Sequence, residues 1–227
     1  MTVYYDVMKM LKPLTLILIA LSGLLLFGCS KGNDKIAVKN DRPIVINIQP
    51  LDNFTNYSSA MKEFEQKYLK EIGIENYTIH ILPNRMSPIS TMNDAETRNS
   101  ADKLIKLLHG TTKPGEFTIG ITKKDISTTS QNNQDCDVLG LSYPDRQKRA
   151  CITSTYRLKS ENDLWKLIAH EFSRAYFSQQ HCAADNEKCI MQADNDDNSH
   201  LDQKEFLCDS CATQIAERIS ANQYGIP

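Results

Sequence analysis

Four cysteines constrain this chain more than any other feature. Cys182 and Cys189 flank a short loop, and Cys208-Asp209-Ser210-Cys211 opens a helical segment near the C-terminus. Four thiolates brought to one point form the closed tetrahedral shell of a structural zinc. Two disulfides are the other reading of the same four positions. Either solution gives a small C-terminal part built around the cysteines.

The stretch that leads into them carries the candidate chemistry. Ile168 to Met191 reads IAHEFSRAYFSQQHCAADNEKCIM. Ser160 with Asp163 supplies an N-cap signal for a helix that starts just upstream. A metal-dependent hydrolase needs an electrophilic metal, a water held on it, and a carboxylate to take the water's proton. Two histidines four apart on a helix give two ligands from one face, with a glutamate beside the first. His170 and Glu171 begin that arrangement, but position 174, one turn on, is Arg.

Beyond the helix come His181-Cys182, Cys189-Ile190-Met191 and Cys208-x-x-Cys211. Together with His170-Glu171 this order resembles the archaemetzincin family of zinc metallopeptidases, whose pattern is HExxHxxGxxHC, a second cysteine, x-Met, then CxxC. Arg98 to Leu108, Gly120 to Ile126, Gly140-Leu141 and Ser154 to Leu158 also resemble that family. The resemblance runs from about residue 43 to 221, and its specific part is the cysteine pattern with Met191. It implies a metzincin-like fold and a catalytic zinc on histidines, of which His170 and His181 remain, with Glu171 as the base. It also implies a structural zinc on Cys182, Cys189, Cys208 and Cys211, and a methionine turn at Met191 beneath the catalytic metal.

Three positions depart from the family pattern. Arg174 replaces the second histidine, Phe177 stands at the glycine position, and Gln180 holds the third-histidine position with His181 one residue late. A guanidinium has no lone pair to give zinc. A unit charge ~4 Å from a dication costs about 8 kcal/mol at an effective dielectric near 20. The expected resolution is an ion pair between Arg174 and Glu171, three residues back on the same face. On that reading the chain binds or scaffolds a peptide or protein ligand and does not cut it, because strand addition needs an exposed sheet edge and no metal. The competing expectation is an active zinc-dependent peptidase using His170, His181 and a further ligand such as His200, with Glu171 as base. Along a continued helix, His181 would lie about 16 Å beyond His170. Both reach one site only if the chain doubles back near Phe177 to Gln180, where no glycine eases the turn.

The N-terminus reads as an address. Lys9 and Lys12 precede an apolar run from Leu14 to Phe27, and Leu26-Phe27-Gly28-Cys29 resembles a bacterial lipobox. Residues 1–28 are therefore expected to be a lipoprotein signal peptide, with Cys29 lipidated and residues 29–41 a polar tether. An uncleaved anchor helix is the alternative. Both readings place residues 42–227, the archaemetzincin-like domain, in the bacterial cell envelope, anchored to the membrane on the periplasmic or outer-membrane side. A net charge of −2 gives no reason to expect nucleic acid as a partner. Cys136 and Cys151 flank a proposed hairpin. They are expected to form a disulfide worth ~3 kcal/mol in the chain-entropy model, with a pair of free buried thiols as the alternative.

Patterning sets the fold class. Pro43 to Gln49, Tyr77 to Leu82 and Glu116 to Thr122 read as strands. Tyr57 to Ile72 and Ala95 to His109 read as helices, ended by Gly73 and Gly110. Lys123 to Asp137 reads as a polar loop, and Val138 to Tyr143 with Ala150 to Thr155 as a hairpin. Asp209 to Ala221 is the last helix. The class is α/β: a mixed twisted sheet with packing helices, an active-site-type helix and the cysteine-rich C-terminal part.

Overall fold

The computed structural model describes residues 40–130, 132–144, 149–183, 186–193 and 200–224. The expected signal peptide, Cys29 and most of the expected tether lie outside the described residues. The tether's end does not behave as one. Asn40 is buried; its amide donates to the carbonyls of Arg42 and Asn76 at 2.8 Å, and its Oδ1 accepts from the N–H groups of Glu75 and Asn76. The folded part thus already includes Asn40.

The expected α/β architecture is present. Strands β1 (Ile44–Pro50), β2 (Tyr77–Ile81), β4 (Glu116–Thr122) and β8 (Ala150–Ser154) run parallel, and the short edge strand β7 (Gly140–Leu141) pairs antiparallel with β8. The order across the sheet is β2-β1-β4-β8-β7. A smaller sheet joins β3 (Asn99–Ser100), β5 (Ile126–Thr129) and β6 (Asp135–Val138). The segment expected as a polar loop therefore holds two strands, and Val138 pairs with Ile126, not with the hairpin partner. Polar contacts hold this sheet: Arg98 and Arg157 bridge Asp125, Asp135 and Asp137.

Strand alternation sends side chains to two cores. Ile44, Ile46, Ile48, Phe117, Ile119, Ile121 and Cys151 face one core. Ala150 and Ile152 face the other, beneath helix α2 (Ala101–Thr111), which contributes Leu104, Ile105 and Leu108. Ser100, not a residue near Ala95, caps α2 by accepting from the Lys103 N–H. The first core is covered by α1 (Ser58–Glu63), its π-helical continuation Phe64–Leu69, and α3 (Leu164–Phe177). Every residue of α3 except Lys166 and Arg174 is buried, as for a helix enclosed on most sides. Phe172 is the hub of this core, 5.5 Å from the Phe64 and Phe117 rings and 4.9 Å from Tyr176.

The expected Cys136–Cys151 disulfide is not formed; both residues are free thiols. Cys136 sits on β6 of the small sheet, opposite Thr128, whereas Cys151 lies in the core face of β8, opposite Ile119. The two belong to different sheets because the expected strand from Val138 to Tyr143 is divided between β6 and β7.

Candidate functional site

Helix α3 carries His170, Glu171 and Arg174 and ends at Phe177. Ser178 then takes a left-handed conformation, φ 53° and ψ 32°, which commonly ends helices. The Phe177 carbonyl accepts from the Arg218 guanidinium of α4 (Asp209–Ser220). The chain reverses here without a glycine. Phe177 stands at the glycine position because its ring is fully buried against Phe172, Tyr176 and Tyr224. The left-handed residue comes one position later, and so does the histidine, so the spacing of three residues from turn to histidine is kept. His181 consequently returns to His170, with ring centroids 5.3 Å apart.

His170 is held from below. Its Nδ1–H donates to the Ile190 carbonyl at 2.6 Å, so the Nε2 lone pair is the one left free by this bond. Burial pushes its pKa down to about 3; the Ile190 carbonyl opposes this, while His181, Arg174 and Lys204 add to it. Met191 follows, fully buried, at the turn that the sequence pattern implies.

The expected Arg174–Glu171 ion pair is absent among the described residues. Arg174 Nη1 donates instead to His181 Nε2 at 2.6 Å. A guanidinium can only donate, so this bond engages the very lone pair that a metal would need. Glu171 turns the other way: Ser142 Oγ donates to its Oε2 at 2.5 Å, and the carboxylate packs against Gly140 on the edge strand. A Cβ at Gly140 would lie 2.7 Å from Glu171 Oε1, so only glycine admits this approach. Burial raises the Glu171 carboxyl to about 7, against the lowering influence of Ser142 and Arg174. His200 is exposed and joins no ligand group among the described residues. The donor set does not fit a catalytic zinc: one of the two facing imidazoles is already bonded, by a cation, and no third ligand from the described residues joins them.

The four C-terminal cysteines do converge. Cys182, Cys189, Cys208 and Cys211 place all four Sγ atoms within 4.8 Å of one another, and all four are free thiols. Cys182 Sγ and Cys208 Sγ are 3.6 Å apart. That is far beyond the ~2.05 Å of a disulfide and close to the roughly 3.8 Å edge of a tetrahedron with Zn–S bonds of ~2.3 Å. Cys208 stands at the N-cap of α4, where burial raises its pKa but the Cys211 N–H and the neighbouring thiols outweigh this and lower it, whereas burial and Cys189 push up the thiol of Cys211 in the first turn. The Cys208 N–H donates to Cys189 Sγ at 3.3 Å. These residues fit a metal ion. Ser142, Gly140, Lys204 and the Ile190 carbonyl carry no motif of their own; the Gly140-Leu141 match is the one hint of them in the sequence.

No protein-family model matches the chain. A curated archaemetzincin of Nanoarchaeum equitans is 29% identical over 128 residues, 56% of this chain and 68% of the relative. The archaemetzincin crystal structure from Methanopyrus kandleri superposes with a TM-score of 0.62 at 19% identity, covering 78% of this chain and 94% of its own. That from Archaeoglobus fulgidus, complexed with malonate, gives 0.55 at 22% over 75% and 99%. A zinc-dependent peptidase from Methanocorpusculum labreanum gives 0.56 at 19% over 74% and 99%. The chain is archaemetzincin-like. Its archaemetzincin fold explains why a helix with one matching histidine still sits beside a second imidazole and a cluster of four cysteines.

Proposed function

We propose that this archaemetzincin-like chain is an envelope lipoprotein, lipidated on Cys29, that binds an extended peptide or protein segment without cleaving it. It keeps a structural zinc on Cys182, Cys189, Cys208 and Cys211 and has no catalytic zinc. The observation that carries this reading is the 2.6 Å bond from Arg174 Nη1 to His181 Nε2. The guanidinium supplies a permanent positive charge at the position where the family's motif places a metal ligand, and it blocks the lone pair that His181 would give a metal. The edge strand β7 lies against Glu171 and is the last strand of its sheet, the position that strand addition uses.

Elemental analysis of the purified domain tests this. One zinc per chain, lost when the cysteines are replaced and retained in His170→Ala, is the expected result. Two zincs, with one lost in His170→Ala and cleavage of casein lost with it, would overturn the reading. That outcome favours an active peptidase, for which the 5.3 Å approach of the His170 and His181 rings and the buried Glu171 speak. For the address, Cys29→Ser is expected to release the protein from the membrane fraction.

A further inference from the structure

We propose that Arg174 is the anchor for a carboxylate carried by the peptide that lies in this cleft. The inference rests on the reading above, in which no catalytic metal is bound.

Arg174 has one hydrogen bond among the described residues, to the neutral acceptor His181 Nε2. No carboxylate pairs with it within the described residues. Its Nε is buried and lacks a partner. A guanidinium presents five N–H donors in a planar fork, and a cation left so poorly matched in a partly buried setting calls for an anion. The surroundings reinforce this. His181 and the buried Lys204 stand near His170, and Glu171, three residues back on α3, accepts from Ser142 instead. The bond between Arg174 and His181 is exposed, so a ligand meets the guanidinium at its Nη end, with Nε buried behind it.

The anion is a monoanion. Arg174 stands in the last turn of α3, where the carbonyl end of the helix dipole opposes a second negative charge. Phosphate sites prefer the opposite helix end, with its free N–H groups. A carboxylate matches the planar fork in a bidentate way. Glu171 and Gly140 touch, so a peptide added along β7 passes beside Arg174, three residues further along α3. The carboxylate comes either from the peptide's C-terminus or from an Asp or Glu side chain within it.

Fluorescence polarisation with three fluorescein-labelled pentapeptides of alanine and valine tests the idea on the wild-type domain. One has a free C-terminal carboxylate, one is its amide, and one is an amide with a central glutamate. The expected result is that one of the two acids binds about tenfold or more tighter than the neutral amide, as a charge-assisted bond requires; which acid wins identifies the source. Arg174→Gln is expected to remove the preference and Arg174→Lys to keep part of it, since a point charge lacks the fork. Equal binding of acids and amide, absence of binding by all three, an unchanged preference in Arg174→Gln, or stronger competition by inorganic phosphate than by acetate would each overturn the proposal. Zinc is counted in the same samples. Two zincs per chain would overturn the metal-free reading and the anchor with it; one zinc with no acid preference would overturn the anchor alone.

Discussion

The N–H of Cys182 donates to the carbonyl of Met191 at 2.8 Å, one residue after the Ile190 carbonyl that holds His170. The turn from Cys189 to Met191 thus serves two sites. Cys189 gives its sulfur to the thiol cluster, Ile190 orients the histidine, and Met191 is fully buried in the core. The Ile190 N–H in turn donates to Phe206 O at 3.0 Å, which ties the turn to the segment leading into Cys208. The cluster of four cysteines is therefore the foundation of the cleft as well as a staple for the C-terminal part.

Loss of the metal should disturb the cleft from a distance. Cys189→Ser and Cys211→Ser are each expected to abolish zinc binding and to lower Tm by roughly 10 °C or more, the shift that several kcal/mol produces in a domain of this size. The NMR signals of the His170 ring should move in both variants, because the Ile190 carbonyl loses its fixed position. Unchanged melting after chelation, together with zinc-free protein, would contradict this.

Two glycines are closed to any side chain. At Gly120 a Cβ would meet Leu108 Cδ1 at 2.6 Å and Ile152 Cδ1 at 2.7 Å, both ends of side chains that can rotate. At Gly140 it would meet Glu171 Cγ at 2.8 Å, a mid-chain atom of a buried residue. Gly120→Ala and Gly140→Ala are each expected to cost about 1–3 kcal/mol in urea unfolding. Gly140→Ala should be the costlier, because it also pushes Glu171 away from Ser142. The opposite ranking would show that Glu171 has room to move.

The sheet was legible from alternation alone where strands are buried. PIVINIQ and EFTIGIT give β1 and β4 because Ile46, Ile48, Phe117 and Ile119 repeat on one face. Strands β5 and β6 escaped because each gives the second core a single aliphatic residue, Ile126 and Val138, while ion pairs of Arg98 and Arg157 hold the polar remainder, and one apolar residue makes no period to read. The convergence of the cysteines was legible from spacing. The partner of Arg174 was not. On a continuous helix Glu171 is the natural neighbour, and His181 becomes one only once Ser178 adopts a positive φ, which nothing in its residue type announces.

Asp52 should set an acid limit on stability. Its carboxylate is buried and accepts from the Ser87 N–H and Oγ and from Thr122 Oγ1, with Lys124 at 2.9 Å. Burial by itself raises its pKa, but these bonds outweigh it and leave the group below its usual 3.8. A depressed folded pKa means that the stabilisation is complete above 3.8 and is lost as pH falls through the lower folded value. Asp52→Asn is therefore expected to cost about 1–3 kcal/mol at neutral pH, with the difference from wild type shrinking as pH drops below 3.8. Urea midpoints measured across that range check it. A constant gap at all pH values would mean that the amide and the carboxylate fail for reasons other than charge.

Restoring the family's histidine tests how much of the old site survives. The sequence alone suggests that three changes are needed: Arg174→His, Phe177→Gly and removal of one of the residues Ser178 to Gln180. The structure needs fewer. Ser178 already supplies the left-handed turn, and His181 already stands 5.3 Å from His170 between ring centroids. His170 already presents Nε2 through its bond to Ile190. Phe177→Gly would instead empty a core position in contact with Phe172, Tyr176 and Tyr224, at a cost of about 3–5 kcal/mol by analogy with other large deletions. Arg174→His by itself removes the cation and frees the His181 lone pair, completing three imidazoles on one face. The single variant is expected to bind a second zinc per chain, measured by elemental analysis, with wild-type Tm or higher. The triple variant is expected to melt below it. If Arg174→His gains no second metal while staying folded, the guanidinium is not what excludes zinc, and the offset of one residue at His181 is.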